Sequence, residues 1–342
     1  MGSFKTILFY SSVKDKSLFY TQRFYQIDID ILKDLGYTVV LSNKITDALK
    51  FWKYNCVFAY FYRWSFFVAL IAKIFGRSTY FTGGIDALNK STNSKKNYFV
   101  QVLFFYLCHL VAKKCIIVSN TDMQHVNCIV GKSKKLVYSE HTVKTSDFIN
   151  DFDPILKKND FVTICWQGDK SNIERKGVDL ALVLFSNLIK KAEFSKSKFY
   201  ILGRKGNGTH YLSQMIESLG LKERVFIIGE VSEDEKIEYL ARNKFYFQLS
   251  QYEGFGIAAL EALLSGDIII HSGQGGLSNK IFKKHIEVDI YGDIEKLSAD
   301  LYKRLLTIDQ NQLNKVIQVC FSYYDNSRRK DDFCKILNNN KL

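Results

Sequence analysis

An apolar run of strand length, Phe245 to Leu249, passes into Ser250-Gln-Tyr-Glu253-Gly254-Phe255-Gly256 and then into Ile257–Leu264, a stretch of good helix formers. The two glycines allow a tight turn between strand and helix. A second apolar run, Ile268 to His271, follows Gly266 and leads into Gly275-Gly276. Strand, tight loop, helix and strand in such close succession form the repeating unit of a parallel sheet, whose neighbouring strands need a crossover between them.

The same rhythm runs through the chain. In the first half, strand-like Lys5–Tyr10 is followed by an amphipathic run Phe19–Leu35 closed by Gly36 and by strands at 38–41 and 57–60. A helix over 66–75, a strand at 80–82, Gly83-Gly84, an apolar helix over 98–112 and a strand at 115–119 continue it. After Tyr138 the pattern loosens, and the only proline, Pro154, marks a linker. A second alternation follows, with strands at 161–166, 198–202, 225–228, 245–249 and 268–271 between helices at 178–191, 211–219, 233–240 and 257–264. The expected fold class is α/β, with two doubly wound, Rossmann-like domains facing a cleft and a C-terminal helix crossing back to the first. At 342 residues the chain suits two domains, drawn at 1–150 and 151–320, with 321–342 as the returning segment.

Composition narrows the class. An apolar fraction of 47% supplies an ordinary core and excludes disorder. The seven cysteines make neither a Cys-x-x-Cys pair nor a zinc spacing, and read as reduced core residues of a cytoplasmic protein. Residues 1–10 lack the pattern of a secretory signal. The longest mainly apolar segment, Tyr98 to Ala112, falls short of the roughly 20 residues of a membrane span. The six histidines are scattered without metal-ligand spacing, so no metal is expected. The net charge of +13 is uneven: residues 1–150 hold 20 Lys and Arg against 9 Asp and Glu, and the remainder 28 against 26. The first half therefore suits an acidic partner. No nucleic-acid motif accompanies that charge.

The loop before Ile257 leaves the first amides of a helix facing outward at the positive end of its dipole, where phosphate binds well. Glu253 lies in that loop, and Glu261 sits in the second turn of the helix, leaning back toward it. Carboxylates repel phosphate but accept hydrogen bonds from sugar hydroxyls, so the ligand implied carries both groups.

Glu253-Gly-Phe-Gly, the seven residues between Glu253 and Glu261, Gly266, and the later Gly275-Gly276 together resemble the Glu-x7-Glu signature of retaining nucleotide-sugar glycosyltransferases with the GT-B fold, the "glycosyl transferases group 1" family. The resemblance is strong over about residues 160–280, weaker in the tail and only architectural over 1–150. It implies transfer of a sugar from a nucleotide diphosphate sugar to an acceptor hydroxyl with retention, in bacterial-type surface polysaccharide or glycolipid assembly, and without a cofactor. The implied acceptor is a glycan or lipid-linked glycan. In the family's mechanism Glu253 holds donor-sugar hydroxyls, Glu261 the ribose diol, and Lys176 with the amides of Gly254, Phe255, Gly256 and Ile257 the diphosphate.

Arg175 and Lys176, expected just before a helix, are fixed cations suited to charge on a leaving diphosphate. Asp169 stands where the family usually has an arginine, and Arg175 or Arg204 and Lys205 are the candidate substitutes. Gly203-Arg204 matches the family's glycine-rich loop, Val231 its base-packing loop, and Ser232 is also a helix cap with Glu235. In the first domain Ser11 and Ser12 stand where relatives have a phosphate-touching loop; Gly83, Gly84 and Asp86 follow a later strand, Asp86 serving either the acceptor hydroxyl or a turn. The alternative reading is a nucleotide-sugar or carbohydrate-binding protein of this fold that is weak or inactive as a catalyst. Lys95-Lys96, Lys113-Lys114 and Lys132-Ser-Lys134-Lys135, with Trp64, Phe66 and Phe67 among them, suggest peripheral attachment to an anionic membrane at its inner face. On charge alone, that attachment is expected to weaken in salt.

Overall fold

Six short strands lie in the N-terminal half: β1 (Thr6–Tyr10), β2 (Thr38–Ser42), β3 (Cys56–Tyr60), β4 (Ser78–Thr82), β5 (Lys114–Ile117) and β6 (Leu136–Tyr138). They pair in parallel in the order β2-β1-β3-β4-β5-β6. Because helices cover the sheet, β1, β3 and β4 are buried over all but their first residue and read as unbroken apolar runs. The structure, a computed structural model, describes residues 5–85, 88–90, 93–148 and 157–338.

A second parallel sheet contains β7 (Lys158–Ile164), β8 (Phe199–Leu202), β9 (Val225–Gly229), β10 (Asn243–Gln248), β11 (Ile268–His271) and β12 (Ile286–Glu287), in the order β12-β11-β10-β7-β8-β9. At its centre the Phe161 ring stacks on Phe245 and Phe247, with centroids 4.7 and 5.2 Å apart. Successive strands run outward from β7 through β8 and β9, then on the other side through β10, β11 and β12. The strand order reverses between β7 and β10. In an open α/β sheet a ligand sits beyond the carboxyl ends of the strands at that reversal.

Both halves are therefore doubly wound α/β sheets. In the first half, the helix Asn120–Val130 and the strand β6 were not legible in advance. Ser119, expected at the end of a strand, is instead the helix cap, its hydroxyl accepting from Asp122 N at 3.1 Å. The two compact units run over Met1–Lys144 with Tyr324–Leu342, and over Thr145–Tyr323. The second unit thus begins at Thr145, earlier than 151; residues 149–156, with the proline, lie outside the described residues. The returning segment begins at Tyr324, later than 321, because helix Gln310–Tyr323 belongs to the second unit.

From Tyr324 the chain is tied into the first unit by hydrogen bonds and a buried charge. Tyr324 O accepts from Val143 N at 3.0 Å, and helix Asn326–Asn338 packs on helix Arg23–Asp34. Arg329 is fully buried, and its guanidinium grips Asp28 bidentately at 2.6 and 2.8 Å. It also donates to the carbonyls of Ser139 at 2.8 Å and Glu140 at 3.1 Å, while Phe333 lies below it at 4.7 Å. Tyr60 completes the satisfaction of Asp28 with its hydroxyl. Burial alone would ease the proton off Arg329, but the Asp28 carboxylate outweighs it and raises the guanidinium's pKa. A buried charge left without its partner is costly. Arg329→Met should therefore lower the stability of the first unit by about 3–5 kcal/mol in urea unfolding, and the double variant Asp28→Leu/Arg329→Met by clearly less than the sum of the singles. A loss below about 1 kcal/mol for Arg329→Met would mean that the pair does not anchor the tail.

Candidate functional site

Beyond β10 the chain turns through residues 249–256 into helix Ile257–Leu264. Of the two glycines in the turn only Gly256 is left-handed, with φ of 88°. As N-cap it provides no side chain, so no side chain caps the leading amides of the helix. The Gly275-Gly276 pair beyond β11 packs directly on this turn. Gly276 N donates to Glu253 O at 2.6 Å, and a Cβ on Gly275 would overlap the same carbonyl. Two motifs far apart in sequence thus form one backbone unit around Glu253.

A second loop reaches the same point from β7. The stretch expected to be a loop is a short helix, Lys170–Lys176, so Arg175 and Lys176 end one helix and stand, as expected, just before another. Gly177 then turns left-handed, with φ of 67°, and opens the next helix, Val178–Leu188. A Cβ at 177 would collide with the Leu249 carbonyl, so glycine is required where the two loops touch. Gln251 N donates to Arg175 O at 2.8 Å across the same contact.

This contact brings Lys176 and Glu253 together. The ammonium lies 3.0 Å from Glu253 Oε1 and 2.7 Å from Oε2. Ser250 Oγ at 2.9 Å and Gln248 Nε2 at 3.2 Å also donate to Oε2. Burial pushes the carboxyl pKa up, but the Lys176 ammonium and the hydrogen bonds from Lys176 and Ser250, with Arg175 nearby, hold it below the usual carboxylate range. Glu253 is therefore an anion at neutral pH. Its Oε2 is saturated, whereas Oε1 has only Lys176 as donor among the described residues and keeps room for one more hydrogen bond. Gln248 and Ser250 were missed from the sequence; the available sign was polar side chains at the end of an apolar strand.

Glu261 is buried in helix Ile257–Leu264 and lies 2.8 Å from the Lys236 ammonium, which also bonds Glu233 at 2.8 Å. Burial works against the charge on Lys236, but the two carboxylates outweigh it and raise its pKa. Lys236 was likewise missed. It stands four residues before buried Leu240 on helix Glu233–Arg242, on a face where an apolar residue is the ordinary choice. That helix starts with the expected box, Glu235 N donating to Ser232 Oγ at 3.2 Å and Ser232 N to Glu235 Oε2 at 2.8 Å.

The other candidates fall around this centre or away from it. Asp169 is the N-cap of helix Lys170–Lys176, accepting from Asn172 N at 2.8 Å. Arg175 donates to Asn172 Oδ1 at 2.9 Å. Gly203 follows β8 with its N–H on the Gly229 carbonyl at 2.7 Å, and Arg204 O accepts from Gln167 N at 2.9 Å while the Arg204 side chain stays exposed. Val231 is half-buried ahead of the Ser232 cap. Ser11 is buried, its amide committed to Ser42 O at 3.2 Å and its hydroxyl to Tyr25 at 2.7 Å, so that amide is not open to a phosphate as expected. Ser12 is exposed; Gly83 and Gly84 follow β4; Asp86 lies outside the described residues. Buried His271 and His285 are pushed down to about 4 and 3 by desolvation and accept backbone amides as neutral rings.

Comparison with known proteins matches this geometry to a family. Residues 170–308, which include both glutamates and Lys176, match the family described as Glycosyl transferases group 1. The phosphatidylinositol N-acetylglucosaminyltransferase gpi3 subunit of Schizosaccharomyces pombe is 27% identical over 49% of this chain and 38% of its own length. An uncharacterized 41.2 kDa protein in the cps region of Klebsiella pneumoniae is 28% identical over 52% of this chain and 49% of its own. The match thus spans half or less of these curated relatives. Among solved structures, Anabaena HepE in complex with UDP and glucose superposes with a TM-score of 0.75 at 15% identity, covering 98% of this chain and 100% of that one. Sucrose-phosphate synthase from Thermosynechococcus elongatus gives 0.73 at 12% identity, covering 98% of each. Over residues 170–308 the chain matches the glycosyl transferases group 1, and as a whole it has the GT-B fold.

Proposed function

We propose that this glycosyltransferase moves a hexosyl group from a nucleotide diphosphate sugar to the hydroxyl of a glycan or lipid-linked glycan with retention of configuration. The observation that carries this reading is the Lys176–Glu253 pair, held where the second sheet reverses its strand order and next to the uncapped start of helix Ile257–Leu264. An ammonium has three N–H donors, two of which face Glu253, so one remains for a diphosphate oxygen. The helix amides supply further donors to the same anion. The free position of Glu253 Oε1 accepts a hydroxyl of the donor sugar, and Glu261, held in place by its ion pair with Lys236, accepts from the ribose. As the bond from the anomeric carbon to phosphate breaks, Lys176, with Arg175 behind it, stabilises the charge left on the diphosphate. The acceptor oxygen bonds the anomeric carbon from the same face and its proton passes to the departing phosphate oxygen. No protein base is required.

The complexes of Anabaena HepE with UDP and with UDP-glucose make UDP-sugars the first donors to test. The name of the fission yeast relative supports a lipid-linked or glycan acceptor and a place in surface polysaccharide or glycolipid assembly. A thermal-shift screen of UDP-, GDP- and ADP-sugars tests the donor directly, since a ligand at 100 times its dissociation constant adds about 2.7 kcal/mol. No shift with any of them would end this reading.

Substitutions should separate the two glutamates. Lys176→Met is expected to lower kcat by about 10²–10³, and Glu253→Gln by about 10–100, with the donor KM changed less in both. Glu261→Gln should instead raise the Kd for UDP about tenfold while kcat at saturating donor stays near that of the parent. Full activity in the Glu253 and Glu261 variants together would overturn the assignment. Transfer should also persist in a chelator, because Lys176 and its neighbours supply the cations. Of the two Asp-x-Asp spacings in the chain, Asp28 and Asp30 hold no open metal site, since Arg329 takes Asp28, and residues 151–153 lie outside the described residues. Activity lost in chelator and restored by magnesium or manganese would refute this account of the leaving group.

A further inference from the structure

The first unit carries an apolar face that none of its described residues covers. Helix Lys95–Val111 buries Gln101, Phe105 and Cys108, and its exposed residues from Phe99 to Leu110 are Phe99, Leu103, Tyr106 and Leu110. These follow helical spacing and form one stripe, 67%, 55%, 45% and 47% exposed. The apolar helix thus turns a second apolar face to solvent. The neighbouring helix, Ser65–Ile74, does the same: Phe67, Leu70 and Ile74 are exposed along one side, with Trp64 just before them. Phe104 joins the stripes, its ring 6.2 Å from Phe67 and 6.4 Å from Trp64. Lys73 Nζ donates to Leu110 O at 3.2 Å and ties the helices at the other end.

The charge along the stretch of chain that carries this face is almost all of one sign. Between Ala48 and Thr121 the chain has ten Lys and Arg and a single acidic residue, Asp86. Neither helix contains an acidic residue. Lys95 and Lys96 occupy the first turn of their helix and are exposed, a place where the helix dipole disfavours cations. Their position costs helix stability and suits an anion outside the protein. A protein partner would need a surface that is both apolar and acidic, whereas an anionic bilayer offers a charged headgroup layer directly above hydrocarbon. No described helix is long and apolar enough to cross a membrane. The 17-residue helix, about 25 Å long, is suited to lie in the plane of the interface.

We infer that the face made by helices Ser65–Ile74 and Lys95–Val111 docks on an anionic lipid surface by inserting its exposed apolar side chains, with the lysines around it engaging the headgroups. The inference is independent of the donor chemistry proposed above. It departs from attachment by charge alone, because the apolar part persists when salt screens the charges.

Co-sedimentation of the full chain with vesicles of equal parts phosphatidylcholine and phosphatidylglycerol tests it. Binding is expected, weaker on phosphatidylcholine alone, and reduced but retained at about 1 M salt, where the screening length is ~3 Å. Phe99→Ser/Leu103→Ser should lower the partition by about a hundredfold, and Tyr106→Ser/Leu110→Ser should do so independently, with thermal midpoint and UDP-sugar binding unchanged because all four side chains are exposed. With Trp52 and Trp166 replaced by Phe, Trp64 is the only tryptophan left, and its emission should shift to the blue on vesicles. Three results would overturn the inference. One is absence of binding; another is binding abolished by salt yet indifferent to the apolar substitutions. The third is a lipid-free dimer dissociated by those same substitutions, which would make a second copy the occupant.

Discussion

In the C-terminal unit, the chemistry depends on how closely two loops can approach. Gly177 lies against the Leu249 carbonyl, and any side chain there would push the end of helix Lys170–Lys176 away from the end of β10. That contact sets Lys176 on Glu253 at hydrogen-bond distance. Gly275 does the equivalent from the other side, against the Glu253 carbonyl. Three glycines on two loops, Gly177 on one and Gly275 with Gly276 on the other, therefore hold one glutamate. The backbone positions the carboxylate, and Lys176, Ser250 and Gln248 keep it charged and oriented despite its burial.

The two glutamates illustrate opposite solutions to the cost of a buried charge. Glu253 is paired at the site with a lysine that still has a donor to spare, so the pair is both satisfied and open to a ligand. Glu261 is enclosed in its helix and balanced by Lys236, which a second carboxylate, Glu233, also holds. Arg329 and Asp28 in the other unit are a third case, closed on all sides by Tyr60, Ser139 and Glu140. That closure suits a structural anchor, because a fully satisfied buried pair has little left to offer a ligand.

The first unit spends its apolar residues differently. Its core lies along the sheet, with Phe9 5.7 Å from Phe58 and Phe58 5.2 Å from Phe333 of the returning helix. The two helices on one side keep enough apolar surface for a second interface after covering the sheet. Helix Lys95–Val111 is apolar nearly all round for that reason, and its sequence alone does not separate a core helix from one that faces both protein and lipid.

Much of the architecture was legible because periodicity and turn residues are local properties. The helix Ile257–Leu264 and the strand Ile268–His271 fall where their apolar runs and bounding glycines put them. The Glu253–Glu261 spacing with its glycines pointed to the family whose match spans residues 170–308. Helix Lys170–Lys176 was not legible, since its polar residues have no apolar period and its stability comes from the Asp169 cap and the Gly177 stop. Nor were the partners of the charges. That Lys176 meets Glu253, Lys236 meets Glu261 and Arg329 meets Asp28 depends on which loops and helices the fold brings together, across separations of 77 residues for the first and 301 for the last. Side-chain type marks a residue as able to carry charge; only the tertiary structure decides whether that charge is spent on an anchor or kept for a ligand, because burial and the remaining hydrogen-bond capacity are properties of the surroundings.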